Sequence, residues 1–353
     1  MPHPALSVSL PYWQDRDPLD ALAVAETAEK LGYDRLWIGE MATFDAFALA
    51  TAIGATPGRL SLCIGPLAVN VRTPAGIAMG AASVAALTSR DVDVALGTSS
   101  TVVVRDWHGR ERRRTARHLE ETARIVRALL SGERVEYEGV TEQVNGFRLR
   151  LPTPLGGDSH AHRGPRADET ALADDGPDPH RPELVLAAFG TGALAAAARV
   201  ADRVVLNLVT PVQVARCAAL VEEFAERAGR ETPPISVWVT AAADPSPDML
   251  ATLRRGVVGY LRAPGYDAMF TEAGFGEIVG LAHSGARPRA VLAAIPDELA
   301  AVVGMFGDRT ELAARLAAYR EAGADEVVVV PVTSAEDPGG AYTLETLMEV
   351  DRG

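Results

Sequence analysis

The chain is nearly without lysine: Lys30 is the only one, and arginine supplies the rest of the 34 basic residues, against 47 acidic ones. The formal charge of −13 excludes a dedicated nucleic-acid binder, because phosphate contacts need a basic footprint. Only two cysteines are present, Cys63 and Cys217, far apart and without metal-ligand spacing. A disulfide framework and a cysteine-rich metal centre are thereby excluded, and two buried thiols in a reducing cytoplasm are expected. No stretch approaches the roughly 18 uninterrupted apolar residues of a membrane span. The opening, Met1-Pro2-His3-Pro4-Ala5-Leu6, has no basic region leading into a long apolar one, so no secretion signal is expected. Tandem repeats are also lacking.

What is present is a regular alternation over 353 residues, 48% of them hydrophobic. Short apolar runs at 5–10, 34–39, 60–64, 91–96, 183–188, 203–206, 235–241 and 325–330 read as strands buried on both faces, as in a parallel sheet. Between them, helical spacing predicts helices at 17–31, 44–56, from near Pro74, and at 112–130, 193–201 and 212–228. Further helices are expected at 247–261, 288–303, 311–322 and 344–350. Gly32 is placed to end the first helix with a left-handed cap, and Pro74 suits a first helical position. About eight strands with intervening helices predict one α/β domain over 1–353, a (β/α)₈ TIM barrel with insertions. An open doubly wound sheet is the alternative, but Pro11-Tyr12-Trp13-Gln14 is no Gly-rich turn.

Two segments break the rhythm. Residues 135–151 alternate around Glu138-Gly139 and Asn145-Gly146, as a small antiparallel excursion would. Residues 155–182 are rich in Gly, Pro, Asp, His and Arg; they read as a mobile loop over the barrel mouth or as a disordered insertion. Their His160, His162 and His180 have no fixed spacing or supporting second shell, so no metal site is expected.

In such a barrel the chemistry gathers where strands end and loops begin. That rule selects Glu40, Met41, Thr43 and Asp45; Gly65-Pro66 and Asn70; Gly97-Thr98-Ser99-Ser100 with Asp106-Trp107-His108-Gly109-Arg110; Phe189-Gly190-Thr191-Gly192; and Asn207 and Thr210. Small polar residues with few charges suit a planar organic cofactor better than a metal. Glycines at Gly190 and Gly192 allow close backbone approach, and a helix start there offers N–H groups to an anion. The bland alternatives stand beside these. A Gly-containing strand-to-helix turn is common, and Gly97–Ser100 has a similar reading as a capped helix start, which the long loop before the next helix disfavours. Trp107-His108 packs and caps as readily as it reacts. Arg110, Arg112, Arg113 and Arg114 fit a solvated helix face as well as an anionic tail.

The run Leu31-Gly32-Tyr33-Asp34-Arg35-Leu36-Trp37-Ile38-Gly39-Glu40 resembles the luciferase-like monooxygenase superfamily. So do Ile64-Gly65 through Val71-Arg72-Thr73-Pro74, and Ala198-Arg199-Val200-Ala201-Asp202. Gly97-Thr98-Ser99-Ser100 followed by Trp107-His108-Gly109-Arg110, with Tyr260-Leu261-Arg262-Ala263-Pro264-Gly265-Tyr266 and Glu321-Ala322-Gly323-Ala324-Asp325-Glu326, resembles its actinobacterial branch that uses the deazaflavin coenzyme F420. The arginine-for-lysine composition agrees with such a source.

The resemblance implies a β-bulge with a cis peptide after the third strand, here Gly65–Pro66, beneath the cofactor ring. Glu40, Met41, Asn70, Thr98 and Ser99 would meet the ring edge, and Phe189, Gly190, Thr191 and Gly192 the tail phosphate. A histidine and a glutamate used by the sugar-phosphate oxidising branch are replaced by Met41 and Ser100, which disfavours that reaction. Glu40, Ser100 and His108 remain as candidate catalytic groups. The activity implied is hydride transfer between F420 and an activated C=C, C=N or carbonyl group, mainly as a reductase. An FMN-dependent monooxygenase is the alternative, and a non-catalytic flavin- or partner-binding member a second. Trp13, Trp107, Tyr260, Tyr266 and Phe270 are candidate aromatic lining for a small-molecule or peptide-derived substrate. A homodimer, with no nucleic-acid or membrane partner, is expected.

Overall fold

The computed structural model describes residues 5–352 apart from 12, 13, 15 and 152–180. Trp13 and nearly all of the polar insertion at 155–182, His160, His162 and His180 included, lie outside them. The first half runs β1 (Ala5–Ser9), α1 (Asp20–Leu31), β2 (Arg35–Ile38), α2 (Ala46–Gly54), β3 (Ser61–Ala68), α3 (Pro74–Thr88), β4 (Val92–Gly97) and α4 (Thr115–Leu130). A hairpin follows, β5 (Arg134–Glu138) and β6 (Gln143–Arg148). The second half has β7 (Leu184–Ala187), α5 (Thr191–Val200), β8 (Arg203–Asn207), α6 (Pro211–Arg227) and β9 (Ile235–Ala243). A helical excursion comes next: α7 (Pro247–Val258), α8 (Tyr266–Phe270), α9 (Gly276–His283), α10 (Pro288–Ala294) and α11 (Asp297–Ala301). The chain closes with β10 (Gly304–Gly307), α12 (Arg309–Glu321), β11 (Glu326–Pro331) and α13 (Ala341–Arg352).

Strands β1, β2, β3, β4, β7, β8, β9 and β11 pair in parallel around a closed ring, β11 returning to β1 and β8 joining β9. The expected (β/α)₈ barrel is the observed fold. Strand β10 is an addition. It takes the edge of β9 at Thr240–Ala243, beyond Ile235–Trp238 where β8 pairs. Sequence periodicity had assigned 288–303 to one helix; Pro296 breaks that run into α10 and α11, since a proline cannot continue the ladder. The helix expected from 112 starts at Thr115, and the preceding loop contains a π-helical turn, Val102–Trp107. The antiparallel excursion is the β5–β6 hairpin.

Local signals explain most boundaries. Gly32 ends α1 at φ 81°, donating to Ala28 O and Glu29 O. Side chains of Asp45, Thr73, Thr210 and Ser246 accept from the first-turn N–H groups of α2, α3, α6 and α7. Asp308 and Glu311 form a capping box on α12.

Apolar packing falls into two layers. The larger joins the barrel's outer face to the helices; the inner fills the barrel with Trp37, Cys63, Ala95, Val185, Val205, Trp238, Val328 and Val330. Trp37 and Trp238 meet edge to face at 5.6 Å inside the barrel. Both cysteines are buried free thiols. Among the described residues no helix is long and apolar enough to cross a membrane, and no group of three or more metal-binding side chains converges.

Beneath the inner layer lies a charged floor built at the strand N-termini. Glu326 of β11 accepts from Ser7 of β1 (2.6 Å), Trp37 Nε1 of β2 (3.3 Å) and Ser236 of β9. Arg35 of β2 reaches Asp93 (3.0 Å), Glu183 (3.0 Å) and Glu326 (3.6 Å), and Arg203 of β8 reaches Glu183 (3.1 Å) and Glu326 (3.7 Å). Three carboxylates thus share two guanidinium groups. Burial pushes the Asp93 carboxyl up to about 6, with Arg35 opposing and Glu183 adding to the rise.

Because native Asp93 holds its proton more tightly than the unfolded chain does, its contribution to stability falls as pH rises from about 4 to about 6. Asn mimics the protonated carboxyl. Asp93→Asn should therefore gain on the wild type across that window, by an amount on the order of 3 kcal/mol. Urea denaturation of both proteins from about pH 4.5 to 7 measures this; a stability difference independent of pH contradicts it.

Candidate active site

The C-terminal ends of the barrel strands form a mouth whose two halves differ. On the side of β1, β2, β8 and β9 there is a cavity of about 290 Å³, lined among others by Gln14, Met41, Asn207, Thr240, Tyr260 and Phe306. Gln14 is fixed there, donating to Pro331 O (3.0 Å) and accepting from Thr333 N (3.2 Å). Asn207 donates to Tyr260 Oη (3.0 Å) while its carbonyl accepts from Tyr266 Oη (2.7 Å). Burial raises the pKa of both phenols, so they stay neutral. Leu208, also in the lining, adopts φ 55°, a left-handed backbone that a branched residue accepts only under constraint.

Tyr266 stacks on Phe189 at 4.2 Å and meets Tyr260 edge-on at 5.0 Å. Gly265 at φ 88° lets the chain pass the Phe189 ring, where a Cβ would come within 2.7 Å. Of the expected aromatic lining, Tyr260 faces the cavity. Phe270 is completely buried in the core and Trp107 is half exposed on the π-helical turn, so neither lines it. Periodicity could not separate these roles, because α8 was not visible as a helix in its glycine- and proline-rich surroundings.

On the other half, β3 carries a bulge: its register against β4 shifts between Ile64 and Leu67, and the Gly65–Pro66 peptide is cis, as expected. Gly65 lies at φ 130°, and a Cβ there would come within 2.1 Å of Ala95 O. Gly97 faces this bulge, its Cβ position 3.1 Å from Pro66 Cβ and 3.5 Å from that of Ala187. Beyond it Ser99 turns the chain at φ 52°; Arg112 donates to Ser99 O (3.1 Å) and Thr98 Oγ1 (3.2 Å), bracing the loop.

Glu40 is held rather than free. Arg72 binds it through Nε (2.9 Å) and Nη2, reaches Asp45 with the same guanidinium, and lies 5.0 Å from the Phe47 ring centroid. Burial of Asp45 is outweighed by hydrogen bonds from Arg72 and the Ala48 and Phe47 N–H groups, which hold its carboxyl below the usual range. Ser100 Oγ accepts from Val103 N (3.2 Å), the capping role weighed for it. His108 is exposed at the end of the π-helical turn. The three candidate catalytic groups divide between the β2–α2 loop (Glu40) and the β4–α4 loop (Ser100 and His108), and none lines the cavity, which of the expected residues takes in Met41, Asn207 and Tyr260.

Phe189–Gly192 forms the start of α5. The first intrahelical bonds, from Ala193 and Leu194, run to Gly190 O, so the N–H groups of Gly190, Thr191 and Gly192 precede the ladder. Gly190 has φ −77°, and nothing lies within 4 Å of where its Cβ would be. Gly192 sits beside the start of α4, where a Cβ on it would lie 3.5 Å from Ala116 Cβ, next to the arginine-bearing loop at 110–114.

Sequence reasoning missed His118. On the first turn of α4, it joins Asn70 Nδ2 at Nδ1 (2.9 Å) and Glu142 Oε1 at Nε2 (2.6 Å). Its partners are 48 and 24 residues away, so no local pattern signals the contact.

A second hollow, at the strand N-terminal end, has Arg124, Arg127, Arg181, Arg199 and Arg230 in its wall. Each is engaged by Glu120, by Asp202 or by carbonyls at the end of α5. It is a structural clamp.

The fold and mouth define a (β/α)₈ barrel with a cavity on one half of its C-terminal end and a bulged, glycine-lined wall on the other. A model of the luciferase-like monooxygenase family matches residues 7–326, and the chain belongs to that family. A Mycobacterium tuberculosis protein named as a coenzyme F420-dependent oxidoreductase is 24% identical over 94% of this chain and 96% of its own. The F420-dependent tetrahydromethanopterin reductase of Methanopyrus kandleri superposes with a TM-score of 0.77 at 16% identity, covering 98% of each chain. An F420-dependent secondary alcohol dehydrogenase, solved with an F420–acetone adduct, gives 0.74 at 17% identity over 98% and 97%. Several monooxygenases, one of them holding FMN, match with TM-scores up to 0.65. At these identities the structures establish shared fold.

The contact at Gly65 is testable. Gly65→Ala adds a Cβ against a backbone oxygen at an unfavourable φ, and should cost at least about 2 kcal/mol. Thermal or urea unfolding checks it; wild-type stability would show that the bulge can relax.

Proposed function

We propose that the protein is an oxidoreductase that binds coenzyme F420 in the barrel mouth and reduces an activated C=C, C=N or carbonyl group of an organic substrate. The observation that carries this reading is the open start of α5 beside the arginine-bearing loop. Gly190, Thr191 and Gly192 offer backbone N–H groups and a positive helix end to a phosphate. Arg110, Arg113 and Arg114 stand near enough in the chain to meet further anionic groups of a longer tail, which F420 has and FMN lacks. The names of the relatives support the same assignment.

The residues present fit such a group. Gly65, Pro66 and Gly97 keep the β3–β4 side free of bulky side chains, as a flat ring requires. Asn70 Oδ1 is buried without a hydrogen-bond partner, an arrangement that a ligand donor would satisfy. When bound, the cofactor supplies a hydride carrier. The chain's part is to orient the reactants, exclude water and deliver a proton. Tyr260 is suited to the last: its Oη accepts from Asn207, so its own O–H is left to donate into the cavity. Glu40, tied to Arg72 and Asp45, serves to hold the β2 loop. Met41 contributes an exposed apolar wall, and Thr98 and Ser99 the braced edge of the ring site. The substrate is a small organic molecule, a peptide-derived one included, and the working assembly a homodimer.

Gly190→Val tests the phosphate assignment. Its φ is one that valine adopts and its Cβ meets nothing, so the barrel should melt as the wild type does. The branched side chain should nevertheless weaken F420 binding about tenfold or more by blocking close approach. Isothermal titration decides it, and unchanged affinity on the folded variant would place the phosphate elsewhere.

A further inference from the structure

We propose that His118 and Glu142 are positioning residues that fix the side-chain amide of Asn70, so that its Oδ1 is presented as a hydrogen-bond acceptor to the ring edge of the bound cofactor. The inference rests on the cofactor reading above and adds two residues to it.

The geometry assigns every proton in the chain of contacts. Glu142 Oε1 lies 2.6 Å from His118 Nε2, and a carboxylate can only accept, so Nε2 carries the hydrogen. In the neutral ring Nδ1 is then an acceptor, and it takes one N–H of Asn70 Nδ2 at 2.9 Å. The second N–H of the same nitrogen points to Glu111 O at 3.3 Å. Two acceptors converging on one nitrogen decide the orientation of the amide. Reversing it would press Oδ1 against a carbonyl oxygen and an unprotonated ring nitrogen. Oδ1 is thus left facing away from both, buried and without a partner. A buried, unpaired amide oxygen is costly, and a ligand donor would recover that cost. Flavins and deazaflavins both carry an imide N–H at the pyrimidine edge that can fill this place.

The supports of the relay are themselves rigid. Glu121, fully buried on α4, accepts from Val140 N (2.9 Å), Thr141 N (2.8 Å), Thr141 Oγ1 (2.7 Å) and Glu142 N (3.0 Å). Against the pull of burial, these bonds and the Arg117 guanidinium hold the Glu121 carboxyl down at about 2. Gly139 makes room, since a Cβ there would meet Glu121 Oε2 at 2.4 Å. Helix α4 therefore carries His118 and, through Glu121, also fixes the turn that carries Glu142. Second-layer partners of this kind commonly orient the groups that touch a ligand.

The test combines affinity with a direct reading of the ring. Wild type, His118→Phe, His118→Asn, Asn70→Ala and the Asn70→Ala/His118→Phe double variant are titrated with whichever of F420 and FMN the wild type binds more tightly. Thermal melting shows that each is folded. Nitrogen-15 NMR of ligand-free wild type reads the His118 tautomer. His118→Phe and Asn70→Ala should each weaken binding about tenfold. His118→Asn, whose Oδ1 can take the place of Nδ1, should stay within about threefold. The double variant should bind no worse than Asn70→Ala, because His118 acts only through Asn70. The ring should carry its hydrogen on Nε2. Wild-type affinity in His118→Phe, multiplying losses in the double variant, or a hydrogen on Nδ1 instead would overturn the proposal. Binding of neither cofactor to the wild type would instead sink the cofactor reading, leaving the NMR result to decide the orientation of Asn70.

Discussion

The barrel depends on how seven of its eight strand starts are tied together beneath its apolar interior. Glu326 is almost fully buried, and it survives there because Ser7, Ser236 and Trp37 donate to it while Arg35 and Arg203 supply charge. A buried carboxylate with fewer partners would be costly by several kcal/mol. Its partners come from β1, β2, β8 and β9, and Arg35 and Arg203 extend the network to Asp93 on β4 and to Glu183 just ahead of β7. Any slip of one strand by a residue would turn its contribution out of the floor. The network thus fixes register around the ring, and with it the height at which each strand delivers its loop to the mouth.

Stability and the proposed function consequently occupy opposite ends of the same strands. Charged groups at the floor are paired within the chain, as are the arginines of the clamp outside it. At the mouth, glycines keep side chains out where parts of the chain meet closely, at Gly65 and Gly97, and polar groups are braced from behind. Arg72 braces the β2 loop through Glu40 and Asp45, Arg112 braces Thr98 and Ser99, and His118 braces Asn70. The loops that carry chemistry are held by groups that do not themselves enter the cavity.

Much of this was legible in the sequence, for a physical reason. Strands buried on both faces must be short apolar runs, and helices on the barrel's exterior must be amphipathic, so the alternation announces the barrel. Gly32 and Pro74 announce the end of one helix and the start of another. The Gly65-Pro66 step was visible through the family resemblance, and the Gly190-Thr191-Gly192 turn, common in itself, through its place after the fifth strand together with that resemblance. What stayed hidden was anything decided across the ring. Arg35, Glu183, Arg203 and Glu326 look like ordinary charges at the edge of strands until closure brings them together. His118 looks like a residue of a solvated helix face, and only the hairpin turn and the β3 loop show otherwise. Strand β10 escaped notice because Gly304-Met305-Phe306-Gly307 is four residues long and follows a run with helical spacing. The π-helical turn did so because Val102-Val103-Val104 disfavours helix by propensity, and tertiary packing of Val104 prevails.

The central claim is that this mouth is shaped for a deazaflavin with a long anionic tail. Side-by-side equilibrium titration of the purified apoprotein with F420 and with FMN, at one ionic strength, addresses it most directly. The proposed assignment predicts micromolar or tighter binding of F420 and weaker binding of FMN, because both present a ring and a phosphate while only F420 has a tail long enough for the arginines of the loop ahead of α4. Micromolar binding of FMN with no measurable binding of F420 would contradict it.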